Sequence, residues 1–418
     1  MDASEFTARK TGDLVKITEG GCAFVPDLLP ISVELSHMVN LELEQASLEL
    51  GRLDGHGQNL PDPQLLIAPF LRKEAVLSSR IEGTQTTFSD LVLFEAMQIQ
   101  EAVRSRDNRE VSNYVNALLY GLQRCKELPL GKQLLCEMHH LLLRGIEKDE
   151  ALLGSFRTAQ VHIAPAGVPI QFARFVPPPP YQIPALFDNL QNYLAAPDDL
   201  PLLVRLAIVH YQFETIHPFM DGNGRLGRLL IVLMLCAAGR LAAPMLYLSA
   251  YFERRRGQYT DLLLNVSREG RWEEWILFFL RGIATQARDA VQRARQLQAL
   301  RKDYNERLKG ATDATHRLVD ELFKLPVMTN KIAERATGFS WQSARDTVKR
   351  LEKTKIIMRV NSQDKEHIYL APEIIAIVDA AEAVPPAVPV LESYGPPQPF
   401  EITQDSSEVH VIEAGRSA

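Results

Sequence analysis

The sequence predicts a mainly α-helical protein with one small β-hairpin and a C-terminal unit of mixed helices and strands. Apolar residues recur three and four positions apart over most of the chain between Ser32 and Lys309, as on the buried face of a helix. Residues 161–176 alternate loosely with a period of two instead, as in strands. After Asp313 the pattern runs helix, helix, turn, helix and hairpin. We find no internal repeat.

Length and composition are those of an ordinary globular protein. The 418 residues are 46% hydrophobic and 23% charged, enough for about two or three domains with buried cores. The net charge of -6 predicts no attraction of the whole molecule to nucleic acid or to an anionic membrane. The first residues have no apolar core of the signal-peptide type, and no run of about 18 apolar residues occurs. We therefore expect a cytoplasmic protein without membrane contact.

The four cysteines are scattered without a CxxC pair, which predicts reduced thiols and neither a disulfide framework nor a zinc site. In the N-terminal part, a first helix is expected from Ser32 to about Leu53, where glycines and a proline break the pattern. A second helix follows from about Pro63 to Glu82. Further helices are predicted at Phe88–Gln98, Asn108–Cys125 and Gly131–Leu143.

Residues 161–176 are predicted to form a β-hairpin that ends at the proline run 177–180. Its apolar positions alternate around Gly167 and Pro169. In a helical protein we expect no neighbour to close the edge of this hairpin, so a target chain could add to it as a strand. A surface hairpin without function is the alternative.

A loop between two strongly apolar helices carries the most informative chemistry. The helices are predicted at Pro201–Ile216 and Arg225–Gly239. Between them, Gly222, Asn223 and Gly224 let successive backbone N–H groups turn toward one point, and the second helix adds the positive end of its dipole. The loop therefore predicts a nest for phosphate groups.

Four side chains around the nest suit phosphate chemistry. Arg225 and Arg228 lie three residues apart on the first turn of the helix, so both can face more than one phosphate. Asp221 offers a hard carboxylate oxygen of the kind that holds magnesium beside phosphates. His217 stands at the rim as a base with a pKa near neutral pH. Taken singly, each also fits a plain helix cap or a core histidine, and only their joint order favours a site.

The C-terminal third begins with a long helix from about Trp272 to Lys309, whose aromatic residues are expected in the core. Residues from about Asp313 to Leu370 have the element order of a winged helix, which they resemble. Its third helix, Trp341–Lys353, carries four basic residues, so DNA binding is chemically feasible, although a protein-binding module or a solvated face fits equally. From about Pro385 the chain is Pro-rich and polar, which predicts a disordered tail.

Residues 217–228, HPFMDGNGRLGR, resemble the complete signature of the Fic (AMPylator) family, H-P-F-x-D/E-G-N-G-R-x-x-R. The resemblance implies a helical Fic fold and transfer of AMP from ATP to a Ser, Thr or Tyr hydroxyl of a target protein. It makes His217 the base, Asp221 the magnesium ligand and Phe219 a buried anchor. It also assigns the phosphate nest to Gly222, Asn223 and Gly224, and the phosphate clamps to Arg225 and Arg228.

The segment Ser78 to Gly83 resembles the inhibitory motif of one class of this family, [S/T]-x-x-x-E-[G/N]. By that resemblance Glu82 pairs with Arg228 and takes the place of an ATP phosphate contact, which predicts autoinhibition. Local physics alone also allows a polar helix face ending in a glycine cap. The family resemblance further makes the 161–176 hairpin a flap that aligns the target, and Tyr251 a candidate to stack on adenine.

The sequence thus predicts four parts: an N-terminal helical region with the inhibitory helix (1–100), a Fic domain (101–310), a winged-helix-like domain (311–383) and a disordered tail (384–418). The expected ligands are ATP, Mg2+ and a target protein on the flap, with self-modification and a homodimer left open. Three other functions remain open as well. They are removal of AMP by the same site, a nucleotide-sensing DNA-binding regulator, and transfer of a different phosphate-bearing group.

Overall fold

A computed structural model describes residues 1–7, 11–58, 64–98, 106–165, 167–338, 340–360 and 367–381. The predicted disordered tail, 384–418, lies outside the described residues. Within the described ranges no helix is both long and apolar enough to cross a lipid bilayer. The four cysteines, all in these ranges, are partly buried and form no disulfide.

The N-terminal helices follow the predicted order. The first helix begins five positions later than predicted, because the Ser36 side chain accepts a hydrogen bond from the Val39 N–H (3.2 Å) and so caps it, while the apolar spacing starts before the cap. The helices are α1 His37–Gln58, α2 Gln64–Ile81, α3 Phe88–Gln98, α4 Arg106–Arg124 and α5 Lys132–Leu143.

Two buried helices form the centre of the fold. The two central helices, Leu202–Ile216 and Asn223–Ala237, are apolar on nearly every side, which is the pattern of a helix surrounded by others. The longest helix packs along α1, and its Trp275 is buried and donates its indole N–H to the Ala207 carbonyl (2.9 Å). The elements from this part of the chain are α6 Ile183–Ala195, α7 Leu202–Ile216, α8 Asn223–Ala237, α9 Ser249–Arg254, α10 Arg256–Glu269 and α11 Trp272–Arg307.

A β-hairpin near the N-terminus was not predicted. Strands β1 (Gly12–Lys16) and β2 (Cys22–Pro26) pair antiparallel. Gly20 and Gly21 form the turn with positive φ, and a Gly-Gly pair between two β-branched runs was the available signal.

The predicted 161–176 hairpin is reduced to a loop closed by one antiparallel bridge between Ile163 and Phe175. Its tip contains a short 3-10 turn, Ile170–Phe172. The expectation that no neighbour closes its edge is wrong on one side, since the β2 residue Phe24 donates its N–H to the Val176 carbonyl (2.9 Å). We keep the name flap for residues 161–176.

The C-terminal unit has the predicted order of elements with one added strand and one added helix at its end. Three short strands form an antiparallel sheet in which Tyr369–Leu370 lies between Val327–Met328 and Met358–Arg359. Thr329 and Ser340 cap the two helices that follow them. The elements are α12 Asp313–Lys324, β3 Val327–Met328, α13 Asn330–Thr337, α14 Trp341–Lys353, β4 Met358–Arg359, β5 Tyr369–Leu370 and α15 Pro372–Asp379. The winged-helix assignment and its DNA binding stay predictions.

The C-terminal unit packs directly on the N-terminal helices. On α2, Arg72 donates to the last carbonyl of α12 at Lys324 (3.0 Å), and Lys73 donates to the Val378 carbonyl near the end of α15 (2.6 Å). Cα proximity joins Met1–Glu382 into one compact unit. The predicted boundaries at residues 100 and 310 therefore stay a prediction from sequence.

Candidate active site

The α7–α8 loop is bent by two residues in the left-handed region. His217 ends α7 with φ 50° and Gly222 precedes α8 with φ 80°. The left-handed conformation costs a non-glycine residue about 1 kcal/mol or more, so His217 needs support from its surroundings. The buried Arg157 supplies it by donating from Nε to the His217 carbonyl (2.8 Å).

Asn223 holds the loop closed rather than pointing its side chain at a ligand. Its amide oxygen accepts from the Phe219 N–H (2.9 Å), and its amide nitrogen donates to the Phe219 carbonyl (2.8 Å). Phe219 is fully buried, as predicted, and stacks on the His139 ring at 3.9 Å. The Asn223 side chain thus braces the backbone of the loop in which the sequence predicts a phosphate nest.

His217 faces a cavity with one free ring nitrogen. Its Nδ1 lies 3.2 Å from the Glu214 carbonyl, and a proton on Nδ1 satisfies that acceptor and leaves Nε2 free to take a proton. The expectation of a pKa near neutral pH is wrong, because burial lowers the pKa of His217 to about 4; the Glu214 carbonyl opposes this shift and the Arg157 charge reinforces it. The ring is therefore neutral at physiological pH, which is the form that a general base requires.

Asp221 is fixed through both its side chain and its backbone. Its Oδ1 accepts from its neighbour's N–H at Gly222 (2.5 Å) and from Arg225 Nη2 (3.1 Å). Its carbonyl accepts a hydrogen bond from His139 Nε2 (3.0 Å). The ring proton lies on Nε2 because Nδ1 of the same ring accepts the Gly154 N–H (2.9 Å). The side chain of Asp221 remains half exposed.

The residues at Asp221 fit a magnesium ion of the phosphate-bound type. Within the described ranges no group of three or more His, Cys, Asp or Glu side chains could bind a metal without help. Magnesium does not need such a group, since it is often held by one carboxylate while phosphates and water supply the other oxygens. The half-exposed Asp221 carboxylate meets that requirement.

Arg225 pairs with two carboxylates, which the sequence did not predict as its partners. Its guanidinium is buried between two carboxylates, with Nη2 on Asp221 (3.1 Å) and Nη1 on Glu110 of α4 (3.2 Å). It therefore joins α4 to the loop. Its Nε has no hydrogen-bond partner among the described residues, and its role as a phosphate clamp stays a prediction.

Glu82 reaches Arg228 as the family resemblance predicts. Arg228 is buried on α8, and its Nη2 donates to Glu82 Oε1 at 2.7 Å. The guanidinium also donates from Nε to the Ser78 hydroxyl (2.8 Å) and from Nη2 to the Ser78 carbonyl (3.0 Å). Gly83 follows with φ 109°, so the glycine after Glu82 is required by the backbone.

Part of the predicted site lines a cavity of about 410 Å3, whereas Asp221, Gly222, Asn223 and Arg225 are not among its described lining residues. Glu82, His217, Gly224 and Arg228 line its polar part, and the α10 residues Tyr259, Thr260 and Leu263 line another wall. Tyr251 is not among the described lining residues. Its ring packs against Phe278 (5.0 Å between centroids) and the Arg255 guanidinium (4.0 Å), whereas Tyr259 and Phe175 are aromatic residues that line the cavity.

Four residues of this region were missed by sequence reasoning. Glu110, His139 and Arg157 come from the segments before the loop, and nothing in their local pattern marks them as partners of residues about 60 to 115 positions later. Glu214 could have been noticed, since it lies on the last turn of α7 next to His217. Its Oε1 is buried and has no hydrogen-bond partner among the described residues.

Comparisons with known proteins agree with this arrangement. A profile described as Fic/DOC family N-terminal matches residues 40–123, and one described as Fic/DOC family matches residues 129–235. The chain is 39% identical over 89 residues to a probable protein adenylyltransferase of Aquifex aeolicus, covering 20% of this chain and 28% of that protein. It is 33% identical over 105 residues to the protein adenylyltransferase fic-1 of Caenorhabditis elegans, covering 25% and 18%.

Among solved structures, a Fic family protein of Desulfovibrio desulfuricans G20 superposes with a TM-score of 0.54 at 20% identity, covering 81% of this chain and 97% of that one. This likeness confirms the predicted helical Fic fold. The chain spans less than a third of the length of the two curated relatives described above.

Proposed function

Residues 40–123 and 129–235 carry the N-terminal region and the domain of the Fic/DOC family, and from this premise we propose that the chain transfers AMP from ATP to a Ser, Thr or Tyr hydroxyl of a target protein in the cytoplasm. The observation that carries the proposal is the shared cavity. One wall offers a neutral histidine, and another offers a buried arginine at the start of a helix. A base and an anion site side by side suit the transfer of a phosphate-bearing group.

The proposed step forms one bond and breaks one. The target hydroxyl oxygen attacks the α-phosphorus of ATP, and the bond from that phosphorus to the pyrophosphate oxygen breaks. The hydroxyl proton passes to Nε2 of His217, and pyrophosphate leaves. When bound beside Asp221, magnesium supplies positive charge that neutralises the phosphates. Arg228 and the N–H groups at the start of α8 hold the remaining charge in place.

Glu82 supports the proposal of autoinhibition. Its carboxylate already occupies the Arg228 guanidinium, and a phosphate would need the same donors. Native chain is therefore expected to bind ATP with its phosphates out of line and to transfer AMP slowly. Removal of Glu82 frees Arg228 for the triphosphate.

The target is proposed to dock along the flap at Ile163, which lines the cavity. The opposite side of the flap is occupied by β2 through Phe24, so only the side toward His162–Ala164 is offered to an extended chain. Self-modification and a homodimer stay predictions.

Intact mass measurement after incubation with ATP and Mg2+ tests the proposal. We expect an added AMP that grows in Glu82→Gly and disappears in Glu82→Gly combined with His217→Ala. Glu127→Gly is the matched control, because it removes an exposed acidic side chain away from the cavity. Added mass other than AMP, or an addition that survives His217→Ala, would contradict the proposed reaction. Equal activity of native and Glu82→Gly chains would contradict autoinhibition.

Removal of AMP from a modified target is the second candidate, and one observation favours it. Glu82 and His217 line the same cavity, so the Glu82 carboxylate could position a water molecule there. In that reaction Glu82→Gly would abolish activity instead of raising it. An AMP-modified peptide incubated with native and Glu82→Gly chains separates the two directions.

A further inference from the structure

We infer that Glu110 is a positioning residue for the divalent cation at Asp221: by pairing with Arg225 it leaves Asp221 with the negative charge that the cation needs. The inference rests on the proposed function, since that proposal puts a magnesium ion at Asp221. Glu110 lies on α4, within the segment matched by the N-terminal family profile and outside the signature. The cation site would therefore depend on both matched segments.

The contacts form a short chain from α4 to the loop. Glu110 Oε2 lies 3.2 Å from Arg225 Nη1, and Arg225 Nη2 lies 3.1 Å from Asp221 Oδ1. Arg225 is only 2% exposed and Glu110 is 9% exposed, whereas the Asp221 side chain is 53% exposed. The two inner groups are thus shielded from water, and the outer carboxylate faces the place where a cation would bind.

Charge balance gives Glu110 its role. Asp221, Arg225 and Glu110 together carry one net negative charge, which attracts a divalent cation. Without Glu110, the Asp221 carboxylate would face a buried guanidinium alone, and the pair would be neutral. Charges interact more strongly away from water, so this difference is felt at the cation. A fourth charge, Arg106, approaches Glu110 at 3.5 Å but is 71% exposed, so solvent screens it.

The two arginines of the signature differ in how they could serve a phosphate. Arg228 gives its Nη2 to Glu82, whose side chain is 38% exposed and can move into solvent. Arg225 has each terminal nitrogen on a carboxylate, and its pair with Glu110 is shielded from water, so a phosphate at Nη1 would compete with a buried ion pair. The geometry therefore suits Arg225 for orienting Asp221 and Arg228 for contacting phosphate.

Mn2+ binding, followed by electron paramagnetic resonance with a non-hydrolysable ATP analogue, tests the inference without any turnover. All chains carry Glu82→Gly so that the analogue can reach Arg228. We expect Glu110→Gln to weaken Mn2+ binding about 10-fold or more, the usual effect of removing a partner of a metal ligand. Glu127→Gln, which makes the same change of net charge at the surface, should bind Mn2+ as the parent does.

A double variant separates charge balance from a purely structural role. Glu110→Gln combined with Arg225→Gln removes one charge of each sign, so Asp221 again carries the net negative charge. The double variant should regain most of the Mn2+ affinity that Glu110→Gln loses, which a structural role of Glu110 would not predict. If Glu110→Gln does not fold, Glu110→Asp retains the charge on a shorter side chain and should bind Mn2+ within a few fold of the parent.

Two results would overturn the inference: Mn2+ binding unchanged in Glu110→Gln, or tighter binding of the ATP analogue in that variant, as expected if a released Arg225 becomes a phosphate clamp. Failure of the proposed function looks different. In that case the Glu82→Gly parent itself would bind no Mn2+ in the presence of the analogue.

Discussion

The Glu82 carboxylate lies 2.7 Å from Arg228 and also fills the space above Gly224, where an added Cβ atom would stand 2.3 Å from Glu82 Oε1. One side chain therefore blocks both the guanidinium and the first turn of α8. Gly224 has an ordinary φ, so its hydrogen is needed for this close approach and not for the backbone conformation.

Gly224→Ala is expected to displace the Glu82 carboxylate. Because the carboxylate ends a flexible, partly exposed side chain, the chain should fold and lose about 1 kcal/mol of unfolding free energy with the ion pair. The methyl group also narrows the phosphate site, so Mg2+–ATP should bind more weakly even when Glu82→Gly is present. Urea unfolding and titration calorimetry measure the two effects. Unchanged ATP affinity in that background would place the phosphates elsewhere.

Tyr259 rather than Tyr251 is expected to contribute to nucleotide binding. Tyr259 lines the cavity and its hydroxyl lies 2.8 Å from His210 Nε2, whereas Tyr251 packs away from the cavity. Loss of an aromatic contact costs about 1 kcal/mol, so Tyr259→Leu should weaken ATP binding about fivefold in the Glu82→Gly chain. Tyr251→Leu should lower thermal stability with little change in ATP affinity. The reverse pattern would restore the prediction made from sequence.

Acid should destabilise the fold through His139. Burial lowers the pKa of His139 from 6.5 to about 4, so the unfolded chain binds a proton more readily than the folded chain between these values. The contribution of the neutral ring to the free energy of unfolding is fully present above pH 6.5 and is lost as pH falls toward 4. The loss reaches about 2 kcal/mol at pH 5. His139→Gln should therefore lose less unfolding free energy than native chain between pH 7 and pH 5 in urea titrations. Parallel pH curves would refute a buried neutral ring.

Alkali should act through Glu214 with the opposite sign. Burial raises the pKa of Glu214 from 4.5 to about 8, an effect that Arg228 opposes and Glu82 reinforces. Its contribution to stability is therefore full below pH 4.5 and is lost as pH rises through 8. Native chain loses this contribution between pH 5 and pH 8.5, whereas the Glu214→Gln side chain cannot ionise. The free energy of unfolding of Glu214→Gln should therefore rise by about 1.4 kcal/mol or more relative to native chain over this range. No relative gain would mean that Glu214 is already ionised in the fold.

Local patterns predicted the elements near the site well. The helices α3 and α14 begin and end at the predicted residues. Helix α7 begins one residue later than predicted and ends as predicted, and α8 begins and ends two residues earlier than predicted. Apolar spacing and capping residues act within a few positions of the chain, so they can be read from the sequence. The N-terminal hairpin was missed because a short strand pair has a weaker pattern than a helix.

The sequence by itself determined the chemistry of the loop, because a histidine, a carboxylate, three glycines and two arginines within residues 217–228 must lie close together wherever that loop folds. The family resemblance of the sequence also predicted the pairing of Arg228 with Glu82, whereas only the tertiary structure decided that Arg225 pairs with Glu110. Glu110 lies 115 positions before Arg225, and Glu82 lies 146 positions before Arg228, yet each carboxylate contacts its arginine in the fold. Such pairs depend on how buried helix faces pack, since a charge removed from water must find its partner among whatever side chains the packing brings near.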